Sequence, residues 1–125
     1  MKFKRLNEEL LQEMARIGYL DGYEIYIHTD DSGNIPHFHI WDRNSKGEKF
    51  HTCIQIKEPK YFHHTGKENI LNSKQKKDLY NLLQLPYRKN INITLWQHLI
   101  MSWNDNNSNI LVDENQEMPD YTKLK

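Results

Sequence analysis

The chain is poor in cysteine and in long apolar runs, and it carries no net charge. Cys53 is the single cysteine among 125 residues, which excludes an internal disulfide and favours a reducing compartment. No stretch is long and apolar enough for a signal peptide or a membrane span, so we expect a cytosolic protein without membrane contact. Seventeen basic and seventeen acidic side chains cancel, so the basic footprint typical of nucleic-acid binders is missing.

The residues that are present predict one small domain. The length fits a single core, and the Trp, Tyr and Phe side chains can fill it. Alanine and valine are scarce beside Lys, Asn and Ile, a bias that follows AT-rich coding DNA and favours a low-GC bacterium or its phage as the source. We expect the domain to span residues 1–107 and to be followed by a polar, acidic, flexible tail over 108–125.

Apolar periodicity predicts an α+β fold. Helical spacing in "NEELLQEMARIGYLDG" predicts an N-terminal helix that ends at Gly18. Alternation in "YEIYIH", "PHFHIW" and "FHTCIQI" predicts three strands, and the short polar loops between them favour a three-stranded antiparallel meander. Two C-terminal helices follow, capped by Asn72 and Thr94, and we expect both to pack on one face of the sheet.

All but one of the seven histidines lie between residues 28 and 64, mostly in the predicted strands. If Tyr26 opposes His39 and Phe38 opposes Ile54, antiparallel pairing places the other alternating residues on the face opposite the aliphatic side chains. A register shifted by two residues, with His51 opposite His39, keeps the same faces and is also open. This predicted histidine face contains Glu24, Tyr26, His28, His37, His39, Trp41, His51 and Cys53.

Three interpretations of the histidine face are open. The first is an ordinary solvated strand face. The second is a transition-metal site, because imidazole suits zinc, copper, iron and nickel; the candidate ligands are His28, His37, His39 and His51. The third is metal-free acid–base or covalent chemistry by a histidine. Cys53 is interpreted as a small packed residue rather than a nucleophile.

Known hydrolase signatures are incomplete in this chain. Trp41 stands where the histidine-triad hydrolases have their third histidine. The two-histidine phosphoesterases require Ser or Thr two residues after each histidine, and His39 and Cys53 stand there instead. No glycine-rich phosphate loop, nucleophile elbow or His-Glu-x-x-His motif is present.

Pro36, His37 and His39, together with Trp103 and Asn104, carry a resemblance. Over residues 20–107 the chain resembles a family of small uncharacterised bacterial domains that have a Pro-His-x-His strand signature and a helix closing on Trp-Asn. Members are often encoded beside a short partner gene, in an arrangement like toxin–antitoxin modules. The resemblance implies a partner protein and no settled reaction.

The leading expectation is a small cytosolic protein-interaction or regulatory module from a bacterial or phage mobile element, of toxin–antitoxin-like or host-defence type. We expect this module to be non-catalytic or not demonstrably catalytic. A metal-dependent hydrolase of phosphoesters or nucleic acids is the alternative. There His37 and His39 would be catalytic, Glu24 or Asp30 would serve as the base, and a divalent transition metal such as zinc would be the cofactor. The sequence itself demands no cofactor.

The expected partner is a protein, and a homodimer is an open alternative. Candidate binding residues are the aromatic side chains of Tyr26 and Trp41 and the loop histidines His63 and His64. Nucleic acid is a third class of partner, which would use the lysine-rich segment "SKQKKD", although the neutral charge does not indicate it.

Overall fold

The computed structural model describes residues 14–28, 35–62 and 68–125. Within these ranges the chain forms two antiparallel sheets, two α-helices and a short 3₁₀ helix. In chain order the elements are β1 (Met14–Leu20), β2 (Tyr23–His28), β3 (His37–Asp42), β4 (His51–Gln55), α1 (Ser73–Leu83), β5 (Pro86–Tyr87), β6 (Asn90–Thr94), α2 (Leu95–Asn106) and the 3₁₀ helix (Tyr121–Lys123).

The main sheet has four strands in the order β1-β2-β3-β4 and is antiparallel throughout. Its register is one of the two that the alternation allows, and the register shifted by two residues, which would pair His51 with His39, is not formed. Tyr26 pairs with His39, which pairs in turn with Cys53, and Phe38 pairs with Ile54. Strands β2 to β4 are therefore confirmed in both their positions and their facing.

The predicted three-stranded meander with an N-terminal helix is wrong, although the α+β class holds. Met14–Leu20, the second half of the predicted helix, is strand β1, and it pairs with β2 across an irregularity between Arg16 and Gly18. The first half lies outside the described residues. An Asp21–Gly22 turn joins the two strands, with Gly22 at φ +84°. Asp-Gly between two apolar runs is a strong hairpin signal, and here pairing outweighs the helical spacing.

The two predicted C-terminal helices are confirmed, and each begins with a capping box. The Asn72 side chain accepts a hydrogen bond from the Gln75 amide at 2.8 Å, and Thr94 accepts one from the Gln97 amide at 3.2 Å. The short hairpin β5–β6 between the helices was not predicted. No helix in the described ranges is long and apolar enough to cross a bilayer.

Both helices pack on the aliphatic face of the main sheet. Apolar side chains from the strands and from the helices belong to one cluster. The aliphatic residues of the strands must lie on a single face of the sheet, because that is the face that the helices cover. The fully buried members include Ile25, Ile27, Phe38, Ile40, Ile54, Leu79, Leu83, Leu99, Ile100 and Trp103.

The segment 108–125, expected to be a flexible tail, contributes to this core. Val112, Tyr121 and Leu124 are buried in the apolar cluster. The Tyr121 hydroxyl donates a hydrogen bond to the Gln55 carbonyl at 2.8 Å, and burial raises the pKa of its phenol well above the ordinary value. Val112 is nine residues from Tyr121, and Tyr121 and Leu124 alone form too short a pattern to predict a helix, so the prediction followed the polar composition of the segment.

Trp103 and Asn104 fasten the start of this segment. The Trp103 indole donates to the Ile110 carbonyl at 2.7 Å. The Asn104 amide group donates to the Val112 carbonyl at 2.9 Å and accepts from the Val112 amide at 2.8 Å. Trp103 and Asn104, in the last turn of α2, therefore hold the chain where it reverses after the helix and bring Val112 to the core.

The loop between β3 and β4 is organised by one carboxylate. Asp42 accepts hydrogen bonds from the Ser45 hydroxyl and from the amides of Ser45, Gly47 and Phe50. These bonds, the Ser45 hydroxyl first, lower the pKa of Asp42 to about 2. Gly47 has φ +92°, and a side chain there would also press on the Trp41 ring. The loop thus fixes the position of Trp41 at the edge of the histidine face.

Candidate metal centre

Strand register assembles the predicted histidine face. Across β2, β3 and β4 one row of paired residues consists of Tyr26, His39 and Cys53, and the next row consists of Glu24, Trp41 and His51. Phe38 and Ile54 pair on the other side, in the core. The prediction that His39 and His51 share one face is confirmed by the direct contact between their side chains.

The centre of the histidine face is buried rather than solvated, so an ordinary solvated strand face, the first of the three interpretations, is wrong there. His37 and Cys53 have no exposed surface, His39 is 4% exposed and Tyr26 is 1% exposed. His51 is only half-buried. Alternation identifies the two faces of a strand, but it does not reveal whether other parts of the chain cover the face that carries the polar residues. A polar face is most simply interpreted as exposed to solvent.

Three side chains converge at the centre of this face. His39 Nδ1 lies 3.0 Å from His51 Nε2 and 3.2 Å from Cys53 Sγ, and Sγ lies 3.8 Å from His51 Nε2. The rings of His39 and His51 are stacked with an interplanar angle of 6°. We call this group the His39–His51–Cys53 cluster; among the described residues it is a set of side chains able to hold a metal ion.

The cluster is close in size to one face of a zinc tetrahedron. Nitrogen and sulfur ligands bind zinc at about 2.0–2.3 Å, which places tetrahedral ligand atoms about 3.3–3.8 Å apart. The separations of 3.0 and 3.2 Å are slightly shorter than that range and the separation of 3.8 Å is at its upper end, so small side-chain movements would admit the ion. Each imidazole nitrogen presents one proton or one lone pair, so hydrogen bonds satisfy two of the three contacts at most. One cation satisfies all three together.

Tyr26 lies against the cluster. Its ring stacks on His39 with an interplanar angle of 15°, and its hydroxyl lies 3.5 Å from His51 Nε2. Trp41 packs on Tyr26 at 4.6 Å between ring centroids. The predicted binding residues Tyr26 and Trp41 are therefore neighbours of the cluster and hold its rings in place.

Several predicted metal or catalytic residues are not in the cluster. His37 Nδ1 donates to the Ile35 carbonyl at 2.7 Å, so the ring is oriented by the backbone. The His28 ring contacts His39 at 5.0 Å between centroids, edge to face. Glu24 accepts from the Trp41 indole at 3.0 Å and pairs with Arg16 at 2.9 Å, which occupies both its oxygens.

Asp30, His63 and His64, which the sequence also suggested, lie outside the described residues. Cys53 was missed as a ligand because a lone mid-strand cysteine is usually a packed apolar residue. The signal that could have found it was the predicted register itself, which places Cys53 directly opposite His39. A thiol beside two imidazoles has the composition of a soft-metal site.

His98 lies apart from the cluster, on α2. Its ring stacks on Tyr87 at 3.9 Å with an interplanar angle of 13°, and burial lowers its pKa. This histidine is half-buried, like His51, but lies in the contact between α2 and the β5–β6 hairpin.

No protein-family model, curated protein or solved structure matches this chain. The resemblance to small bacterial Pro-His-x-His domains therefore stays a prediction. Any functional conclusion has to come from the cluster and from the surfaces around it.

Proposed function

We propose that this protein is a small transition-metal-binding module that holds one ion, with zinc as the first candidate, through the His39–His51–Cys53 cluster. The single observation that supports this is the mutual approach of the three ligand atoms, all within 4.8 Å of one another. Two imidazoles and a thiolate favour zinc or copper over magnesium and calcium, which prefer oxygen ligands.

The proposed ion would bind the folded sheet and stabilise it. The ligands come from two neighbouring strands, β3 and β4, and they meet only when these strands are in register. An ion that binds the native state and not the unfolded chain adds about 4 kcal/mol of stability when its free concentration is a thousand times the dissociation constant. We propose that the metal thereby maintains a domain that acts by binding a partner, as the small size and neutral charge favour.

A metal-dependent hydrolase is the second candidate, because the cluster offers three protein ligands. Catalytic zinc sites keep three protein ligands and one open position, where the ion lowers the pKa of water. The half-buried His51 gives the cluster one side close to solvent. Glu24 is unsuited to act as the base, because Trp41 and Arg16 engage both its oxygens.

Metal analysis of protein purified without a histidine tag tests the proposal. We expect one equivalent of metal per chain, and a fall in the melting temperature when a chelator removes it. Cobalt substitution should give the visible spectrum of a tetrahedral site and the near-ultraviolet band of a thiolate ligand. Cys53→Ser should abolish that band, and His39→Gln should lower the metal content.

His98→Gln is the matched control, since it removes a histidine that lies outside the cluster. It should leave the metal content unchanged. Protein without metal that gains no thermal stability from added zinc would overturn the proposal and leave a hydrogen-bonded triad. Chelator-sensitive cleavage of a phosphodiester by the zinc-loaded protein, lost in Cys53→Ser, would favour the hydrolase candidate.

A further inference from the structure

A groove distant in sequence from the metal ligands is lined by basic side chains. It has a volume of about 630 Å³ and lies where the segment after β4, helix α1 and the 3₁₀ helix meet. Its floor contains Pro59 and Leu124. Five polar side chains complete the lining: Lys60, Lys76, Thr122, Lys123 and Lys125. We call this the lysine groove.

The charge of the lysine groove is unbalanced, although the chain as a whole is neutral. Four lysines line it, and no acidic residue is among the described residues that do so. Two exposed or half-exposed carboxylates lie beside these lysines without lining the groove: Glu58 is 3.6 Å from Lys60, and Asp120 interacts electrostatically with Lys123. By contrast, Arg16 is paired with Glu24 and Lys74 with Asp78. Like charges held in one concavity repel one another and attract anions.

The fold places these lysines together from separate parts of the chain. Lys76 belongs to the second turn of α1, and Lys123 to the 3₁₀ helix that the buried Tyr121 anchors. The Lys125 amide donates to the Pro59 carbonyl at 3.1 Å, and the Lys125 carbonyl accepts from the Tyr61 amide at 3.1 Å. The backbone around the groove is thus held by the core and by hydrogen bonds.

We infer that the lysine groove binds a small phosphate-bearing ligand with at least two phosphate groups. Lysine ammonium groups are common phosphate partners, acting as point charges. The volume lies within the range of small-ligand sites, about 300–1,000 Å³. No aromatic side chain lines the groove among the described residues, which disfavours single-stranded nucleic acid, since that ligand usually stacks its bases on aromatic rings.

Calorimetric titration with inorganic tripolyphosphate tests the inference on the intact chain. We expect binding that weakens as salt is added. The double variant Lys76→Gln/Lys123→Gln should bind about tenfold more weakly or worse, because two charge-assisted contacts are lost. Its melting temperature should stay near that of the wild type, since Lys76 is only half-buried and Lys123 is exposed.

Lys74→Gln is the matched control. It makes the same single change of charge as Lys76→Gln on the same helix, at a lysine that pairs with Asp78 and does not line the groove, so these two single variants are compared beside the double variant. Lys74→Gln should leave tripolyphosphate affinity within about twofold of the wild type, because a solvated surface charge outside the groove is largely screened by salt. No binding by the wild type, or an equal loss in the control, would overturn the inference. Binding of oligothymidylate in place of tripolyphosphate would do so too. Tripolyphosphate itself chelates divalent metals, so the titration is repeated on chelator-treated protein that has been dialysed free of the chelator. Equal binding with and without metal makes the test independent of the proposed function.

Discussion

Replacing His37 by Gln should destabilise the protein strongly, even though His37 is outside the metal cluster. The ring is fully buried, and its centroid lies 4.6 Å from that of Phe62 and 5.6 Å from that of Trp103. Each aromatic pair at such distances contributes about 0.5–1.5 kcal/mol beyond area burial. A buried glutamine amide that finds fewer partners costs a further 1–3 kcal/mol or so. We therefore expect a loss of about 3 kcal/mol.

Urea denaturation in the presence of a chelator measures this loss without any contribution from bound metal. His98→Gln is the matched control, because it gives up one stacked ring and the hydrogen bond of that ring with the Arg16 backbone at a half-buried position. It should cost about 1–2 kcal/mol, less than His37→Gln. If His37→Gln unfolds within about 0.5 kcal/mol of the wild type, as an ordinary surface substitution would, the ring does not support the contact between β3 and α2. Sequence alternation alone predicted that surface behaviour, so this measurement decides between the two views.

Three further predictions follow from single buried or hydrogen-bonded groups. Trp103→Ala should cost about 3–5 kcal/mol by urea denaturation, because it empties a fully buried site; a loss below 1 kcal/mol would contradict the packing of α2. Tyr121→Phe should cost about 1–2 kcal/mol in the same assay, because it removes the hydroxyl that donates to Gln55, whereas a free C-terminal segment would give no change. Asp42, whose pKa the Ser45 hydroxyl and neighbouring amides lower to about 2, stabilises the fold fully above its ordinary value of 3.8 and loses that contribution as the pH falls towards 2. An NMR titration of the carboxyl group that returned an ordinary pKa would refute the bonding of this loop.

The sequence by itself determined the pairing of the central strands and the start of each helix. Two faces with a period of two allow few registers, because a shift of one residue would turn the aliphatic side chains out of the core. That constraint was enough to place His39, His51 and Cys53 on one face. The structure then selected the register in which His39 pairs with Cys53 over the register, shifted by two residues, in which it would pair with His51. The helix caps could also be predicted from neighbouring residues. Asn72 and Gln75 are three residues apart, and the side chain of each accepts a hydrogen bond from the backbone amide of the other.

Only the tertiary structure decided the conformation of segments whose sequence patterns conflict or are weak. Residues 14–20 have helical spacing, yet they form β1, because the Asp-Gly turn lets them pair with β2. The segment 108–125 is polar on average, yet its few apolar side chains are buried, because Trp103 and Asn104 direct it back to the core.

The sequence determined one part of the candidate site, and the tertiary structure determined the rest. Alternation placed the histidines and Cys53 on one face, but burial of that face depends on elements that are distant in sequence, such as Phe62 and α2. The choice of His39, His51 and Cys53 as the converging set depends on side-chain rotamers, which no periodicity encodes. Register is set by neighbours along the strands, whereas burial and convergence are set by what the whole chain packs around them.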